Sequence, residues 1–137
     1  MIQLAYLSST PALLTADDIA QILLSSRSNN AAWGVTGLLV YRDGNVLQFL
    51  EGERTKVKTL FEKICRDPRH RGVIILYERE VDRRDFPEWT MGFSDLAAEG
   101  ATYLEGFEDV LGPTYDVSKL SSSGARKLID VFKRRGH

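Results

Sequence analysis

Sulfur chemistry is nearly absent from this chain, which has one cysteine, Cys65, and two methionines in 137 residues. A single thiol cannot close an internal disulfide, so the fold must rest on its core, and the composition suits a reducing cytoplasm. Two histidines and one cysteine do not make a metal-ligand set. A basic excess is missing too: 18 Lys and Arg stand against 19 Asp and Glu, a formal charge of −1. That balance argues against general nucleic-acid or membrane-surface binding. No apolar run approaches the roughly 18 residues needed to span a bilayer. The opening MIQLAYLSST lacks the basic start and long apolar stretch of a signal peptide. There is no internal repeat and no low-complexity tract. What remains is an ordinary globular composition, 43% hydrophobic and 27% charged, long enough for one domain with a real core.

The stretch from Asn29 to Gly52 organises the rest. Val35–Tyr41 reads as a strand, Arg42-Asp43-Gly44-Asn45 as a tight turn, and Asn45–Glu51 as the returning strand, since Asp-Gly between apolar runs is a strong hairpin signal. Alternation puts Val46, Gln48 and Leu50 on one face and Leu47 and Phe49 on the other. Both faces are largely apolar, which predicts a central strand with Gln48 as a buried amide in need of partners.

Around this hairpin, Ile2–Ser8 reads as a first strand, with Ile2, Leu4, Tyr6 and Ser8 on one face. Thr15 and Asp18 read as a helix start, and Ile19, Ile22, Leu23 and Ser26 follow helical spacing. Asn29-Asn30 suit the end of that helix. A second helix after Glu53 carries the stripe Val57, Leu60, Phe61 and Ile64 and stops at Asp67-Pro68. Gly72–Glu80 is a dense β-forming run, Val81–Phe86 a charged edge or loop, and Trp89–Phe93 a short last strand. The order β-α-β-β-α-β-β predicts an α+β, ferredoxin-like sheet with two helices on one face. Residues 97–115 read as a linker, and Asp116–Arg135 as a C-terminal helix with the stripe Leu128, Ile129 and Phe132. The expected division is a domain over residues 1–95 and a linker with a C-terminal helix over 96–137.

On this topology Tyr6 and Gln48 are polar groups on neighbouring central strands, one a phenol, the other an amide that donates and accepts. A buried Tyr–Gln hydrogen bond within a plain core accounts for them equally well, and helix capping accounts for Asn29-Asn30.

Together, however, several motifs resemble the BLUF domain family of flavin-based blue-light sensors. They are Leu4-Ala5-Tyr6-Leu7-Ser8-Ser9, Asn29-Asn30 with Gly34-Val35-Thr36-Gly37-Leu38-Leu39, and Leu47-Gln48-Phe49-Leu50-Glu51-Gly52-Glu53. Asp67-Pro68-Arg69-His70-Arg71 and Phe86-Pro87-Glu88-Trp89-Thr90-Met91 complete the set. The match runs in order over about residues 1–95. Val35 stands where relatives often have Ile, and Trp33 is bulky for a loop where smaller residues are common.

The resemblance implies FAD, its isoalloxazine ring held between the two helices against Tyr6 and Gln48. It places Asn30 at the ring's C4=O and N3 edge, Asn29 beside it, and Ile22 and Ile64 as aliphatic walls. Lys63 falls near the C2=O end, Arg69 and His70 near the ribityl chain and phosphates, and Ser26 joins the cofactor-binding set. It further implies that light makes the flavin an oxidant to which Tyr6 delivers an electron and, through Gln48, a proton. Back-transfer of the electron and proton to Tyr6 leaves the flavin oxidised but Gln48 rearranged, and the absorption band moves to the red. Trp89, Met91 and Ser8 are the implied relay.

No effector domain of its own fits in the remaining ~40 residues. The reading is therefore a cytoplasmic photosensor rather than an enzyme, acting on a separate effector as a homodimer or higher oligomer. An EAL-type cyclic-dinucleotide phosphodiesterase and a transcriptional regulator are the family-level expectations for that effector. A light-independent flavoprotein and a flavin-free ferredoxin-like binding module are the rival readings.

Overall fold

The computed structural model describes residues 1–12, 15–42, 44–87 and 91–95. Their elements run in the order β1 (Ile2–Ser9), α1 (Ala16–Trp33), β2 (Thr36–Arg42), β3 (Asn45–Gly52), α2 (Arg54–Arg66), β4 (Arg71–Glu80) and β5 (Gly92–Asp95). The strands form one mixed sheet in the order β4-β1-β3-β2-β5. β1, β2 and β3 are the inner strands. β3 pairs antiparallel with both β1 and β2, β4 pairs antiparallel with β1, and β5 runs parallel to β2. This is the expected α+β, ferredoxin-like plan.

Alternation along β1 and β3 sorts the core into two layers. Ile2, Leu4, Tyr6, Val46 and Leu50 face the helices and pack with Ile19, Ile22 and Leu23 of α1 and Val57 and Leu60 of α2. Ala5, Leu38, Val40, Leu47 and Phe49 form the opposite layer, where the Phe86 ring lies 5.5 Å from that of Phe49. Phe86 and its neighbours are thus not merely a charged edge: Phe86 is buried because the sheet's second apolar face needs a cover.

Two caps set where the helices begin. Thr15 and Asp18 make a reciprocal capping box, side chain to backbone at 3.1 and 3.0 Å. Glu53 caps α2 by accepting from the backbone N–H groups of Thr55 and Lys56.

The end of α1 corrects the sequence reading. The helix does not stop at Asn29-Asn30 but continues through Ala31, Ala32 and Trp33, and Gly34 terminates it in the left-handed region at φ 66°. Alanine prolongs a helix at little cost, and glycine reaches φ > 0 without a Cβ penalty, so the stop falls at the glycine. Trp33 is therefore a helical residue, not a loop residue. The last strand is also displaced: Met91 precedes it, and β5 extends to Asp95. Trp89 and residues 96–137, including the expected linker and C-terminal helix, lie outside the described residues. None of the described helices is long and apolar enough to cross a membrane.

Candidate functional site

Tyr6 and Gln48 are direct register partners across the β1–β3 ladder, on the face that meets the helices. Both are buried, and the Tyr6 hydroxyl donates to Gln48 Oε1. The other end of that amide, Nε2, lies 3.4 Å from Met91 Sδ, a weak acceptor. Gln48 thus has unlike neighbours at its two ends. Burial pushes the Tyr6 phenol far above its ordinary range, and the charges of Cys65 and Asp67 add to the effect. At neutral pH Tyr6 keeps its proton and holds it against an amide oxygen.

The Tyr6 ring packs against Phe61 at 5.4 Å and lies edge-on to His70 at 6.2 Å. His70 Nδ1 is 2.9 Å from Ser8 Oγ, which ties the turn after α2 to β1. Burial lowers the His70 pKa, with the Asp67 carboxylate opposing and Arg69 reinforcing the shift. Arg69 is itself paired: its Nε lies 3.0 Å from both carboxylate oxygens of Asp67. The Arg69 guanidinium holds the Asp67 carboxyl below its usual range.

Above Tyr6 and Gln48, α1 and α2 part to leave an open-mouthed cleft. Ile22, Ser25, Ser26, Asn29 and Asn30 line it from α1, and Leu60, Lys63 and Ile64 from α2. Gln48 and Leu50 come from β3, and Asp67, Arg69 and His70 from the turn after α2. Asn30 is buried, and its backbone carbonyl accepts from Val35 N at 2.9 Å, which anchors the α1 terminus. Asn29 is at the exposed rim. Lys63 reaches back between the helices, its Nζ 5.3 Å from the Trp33 ring centroid.

The residues over 1–92 match the family model for sensors of blue light using FAD. The chain belongs to the BLUF family. Among BLUF relatives, subunit beta of the photoactivated adenylate cyclase of Euglena longa is 33% identical over 89 residues, 64% of this chain and 10% of that protein. The blue light- and temperature-regulated antirepressor BluF of Escherichia coli K12 is 30% identical over 117 residues, 84% of this chain and 28% of that one. The chain thus spans only a small part of these curated relatives' length. A solved BLUF protein, BlrB in its dark state, superposes with a TM-score of 0.66 at 32% identity, covering 80% of this chain and 88% of that one.

BLUF domains bind flavin, and the cleft suits one chemically. Ile22, Ile64, Leu50 and Leu60 offer apolar surface to a flat ring, and the carboxamides of Asn29, Asn30 and Gln48 offer donors and acceptors to its polar edges. Lys63 and Arg69 add two cationic side chains to the lining.

Of the residues singled out in this BLUF sequence, Ile22, Ser26, Asn29, Asn30, Gln48, Lys63, Ile64, Arg69 and His70 line one cleft with Tyr6 beneath it. Ser8 meets His70 rather than standing apart, and Met91 meets Gln48. Ser25, Leu50, Leu60 and Asp67 were not singled out as site residues. Leu50 shares a strand face with Gln48 and Leu60 lies on the α2 stripe, so periodicity carries their signal, whereas Asp67 reads as a helix stop and as part of the Asp67–Arg71 motif, with no role of its own in the site. No cluster that would hold a metal ion is present among the described residues.

Proposed function

We propose that this chain is a blue-light photoreceptor that binds FAD and carries no catalytic activity of its own. The observation behind it is the buried phenol of Tyr6 donating to Gln48 Oε1 beneath the cleft. When bound, the flavin supplies blue-light absorption and, once excited, a strong oxidant. Tyr6 is the residue suited to release an electron and a proton together, and Gln48 Oε1 is the atom suited to receive the proton. With its oxygen facing Tyr6 and its nitrogen facing Met91, Gln48 has unlike environments to exchange when its hydrogen bonds rearrange. A stronger hydrogen bond from this side chain to the flavin C4=O would shift the absorption band to the red.

The remaining roles follow the family pattern. Asn30 serves the C4=O and N3 edge, Asn29 the ring's flank, and Ile22 and Ile64 the two walls, with Ser26 beside them. Lys63 serves the C2=O end, and Arg69 and His70 the ribityl and phosphate side. Two contacts qualify that last assignment: Arg69 is engaged by Asp67 and His70 by Ser8, so a phosphate there would compete with Asp67 for the guanidinium. Residues 1–95 form the flavin-binding unit in this reading, and 96–137 the linker and helix. The signal leaves through Ser8, Met91 and Trp89 to a separate cytoplasmic effector, an EAL-type cyclic-dinucleotide phosphodiesterase or a transcriptional regulator, with the photoreceptor a homodimer or higher oligomer.

The test is a light-minus-dark absorption spectrum of the purified flavin-loaded protein and of Tyr6→Phe and Gln48→Leu. A reversible red shift in the parent, lost in both variants, supports the reading. Bound flavin with a light-stable spectrum would point to a light-independent flavoprotein, and colourless protein to a binding module.

A further inference from the structure

The strand that carries Gln48 ends in a second buried polar group, on the opposite face of the sheet. Glu51 is fully buried. Its Oε2 accepts from the backbone N–H of Asp85 at 2.7 Å and from Gln3 Nε2 at 2.8 Å, and its Oε1 accepts from the backbone N–H of Phe86 at 2.8 Å. The Thr36 hydroxyl lies 3.4 Å from the same Oε1. Gln3 is saturated in turn, donating also to Asp85 Oδ2 at 2.8 Å and accepting from the Tyr77 hydroxyl and from Arg79 Nη2. Arg84 completes the knot by donating to Thr36 Oγ1, to the Glu51 carbonyl and to the Gly34 carbonyl that ends α1.

Only a carboxylate suits this position. It offers two acceptor oxygens and no donor to two backbone N–H groups and an amide N–H. A glutamine would turn its own NH2 toward one of those donors. Hydrogen bonds to an ionised acceptor are also the stronger kind. Burial raises the Glu51 pKa, while the bonds from Asp85, Gln3 and Phe86 oppose that rise.

The segment fixed by Glu51 leads, five residues later, to Met91. There the chain is held again, by Arg27 Nε donating to the Met91 carbonyl at 3.0 Å and by the Gln48 amide at Met91 Sδ. Two residues of β3 therefore hold this part of the chain, Glu51 at Asp85 and Phe86 and Gln48 at Met91. We propose that Glu51 is a positioning residue for the Gln48–Met91 contact: by fixing residues 84–86 to the rim of the sheet, it sets how Met91 is presented to the Gln48 amide. The functional weight of that contact rests on the photochemical reading of Gln48, but the positioning itself is a property of the dark protein.

The experiment is therefore done in the dark on the flavin-loaded protein, after the parent's light response has been recorded separately. Amide hydrogen exchange at Asp85 and Phe86 and the NMR signal of the Met91 methyl are compared in the parent, Glu51→Gln and Asp85→Asn. In Glu51→Gln, exchange at Phe86 rises about tenfold or more, the change that follows from losing a charge-assisted bond, and the Met91 methyl moves or broadens with it. In Asp85→Asn the Glu51 bonds to the backbone persist and the Met91 methyl stays in place. Faster exchange at Phe86 with an unmoved Met91 signal would overturn the proposal and leave Glu51 as local glue for its loop. A Met91 signal displaced as far in Asp85→Asn would also overturn it, since any disturbance of the knot would then suffice. If Glu51→Gln does not fold, Glu51→Asp, which keeps the charge on a shorter arm, carries the same pair of readouts with smaller changes in the same direction. A parent without a red shift would overturn the photoreceptor reading alone, because neither dark measurement depends on it.

Discussion

Met91 Sδ lies 3.4 Å from the amide nitrogen of Gln48, so the donor end of the central glutamine rests on a soft, polarisable side chain just before β5. Met91 is only 2% exposed. Met91→Ala removes both the packing and the acceptor, and is expected to cost about 2–4 kcal/mol in urea unfolding. Met91→Leu keeps most of the volume and should cost less than about 1.5 kcal/mol. Light-minus-dark hydrogen exchange on the two variants separates packing from relay: an unchanged response in Met91→Ala would remove this residue from the outward path.

Tyr6→Phe leaves Gln48 Oε1 without the phenol that now donates to it. Stability should fall by about 1–3 kcal/mol, the cost of a buried acceptor left unsatisfied, with the fold retained. Urea titration of parent and variant measures it. A loss near zero would mean that water or another donor replaces the phenol.

Gly34 and Gly37 are close in sequence but should respond differently to alanine. Gly34 sits at φ 66° with nothing within 4 Å of an added Cβ, so Gly34→Ala meets only backbone strain, about 1 kcal/mol. At Gly37 an added Cβ would fall on the carbonyl oxygen of Phe49 and 3.3 Å from Met91 Cε. The obstacle is backbone on a neighbouring strand and cannot rotate away. Gly37→Ala should abolish or severely destabilise folding, read by circular dichroism and thermal melting, while Gly34→Ala melts cooperatively a few degrees lower.

His70 gives stability a pH dependence on the acid side of neutrality. Burial holds its folded pKa below the ordinary 6.5, so the unfolded chain binds the proton first. Its contribution is complete above about 6.5 and declines as pH falls through the window between the unfolded and folded values. Glu51, raised by burial, has the opposite sign, so the test is a difference. The gap in unfolding free energy between the parent and His70→Gln should shrink as pH falls from about 7.5 to about 5.5. A gap independent of pH would show that His70 does not titrate differently on folding.

Much of this was legible along the chain because it is set by local periodicity. Alternation in β1 and β3 put Tyr6 and Gln48 on one face, and the 3.6-residue stripes put Ile22 and Ile64 on the inner sides of two helices. The Thr15–Asp18 capping box is a short-range rule that no tertiary contact had to override. Where the reading of α1 went astray, at Asn29-Asn30, two residues with plausible capping chemistry preceded a better terminator four positions on.

Sequence by itself determined the order of the elements, the faces of the inner strands and the family, since these depend on spacing and residue type alone. Tertiary structure alone decided which distant groups answer one another. It brought Ser8 to His70 and Lys63 to Trp33, and it drew Gln3, Glu51, Asp85 and Arg84 into one buried knot. Nothing in the spacing of residues 3, 51 and 85 announces that meeting. A buried polar side chain must find partners, and which partners it finds depends on strand order and on where the crossover returns, both of which are fixed only when the sheet closes.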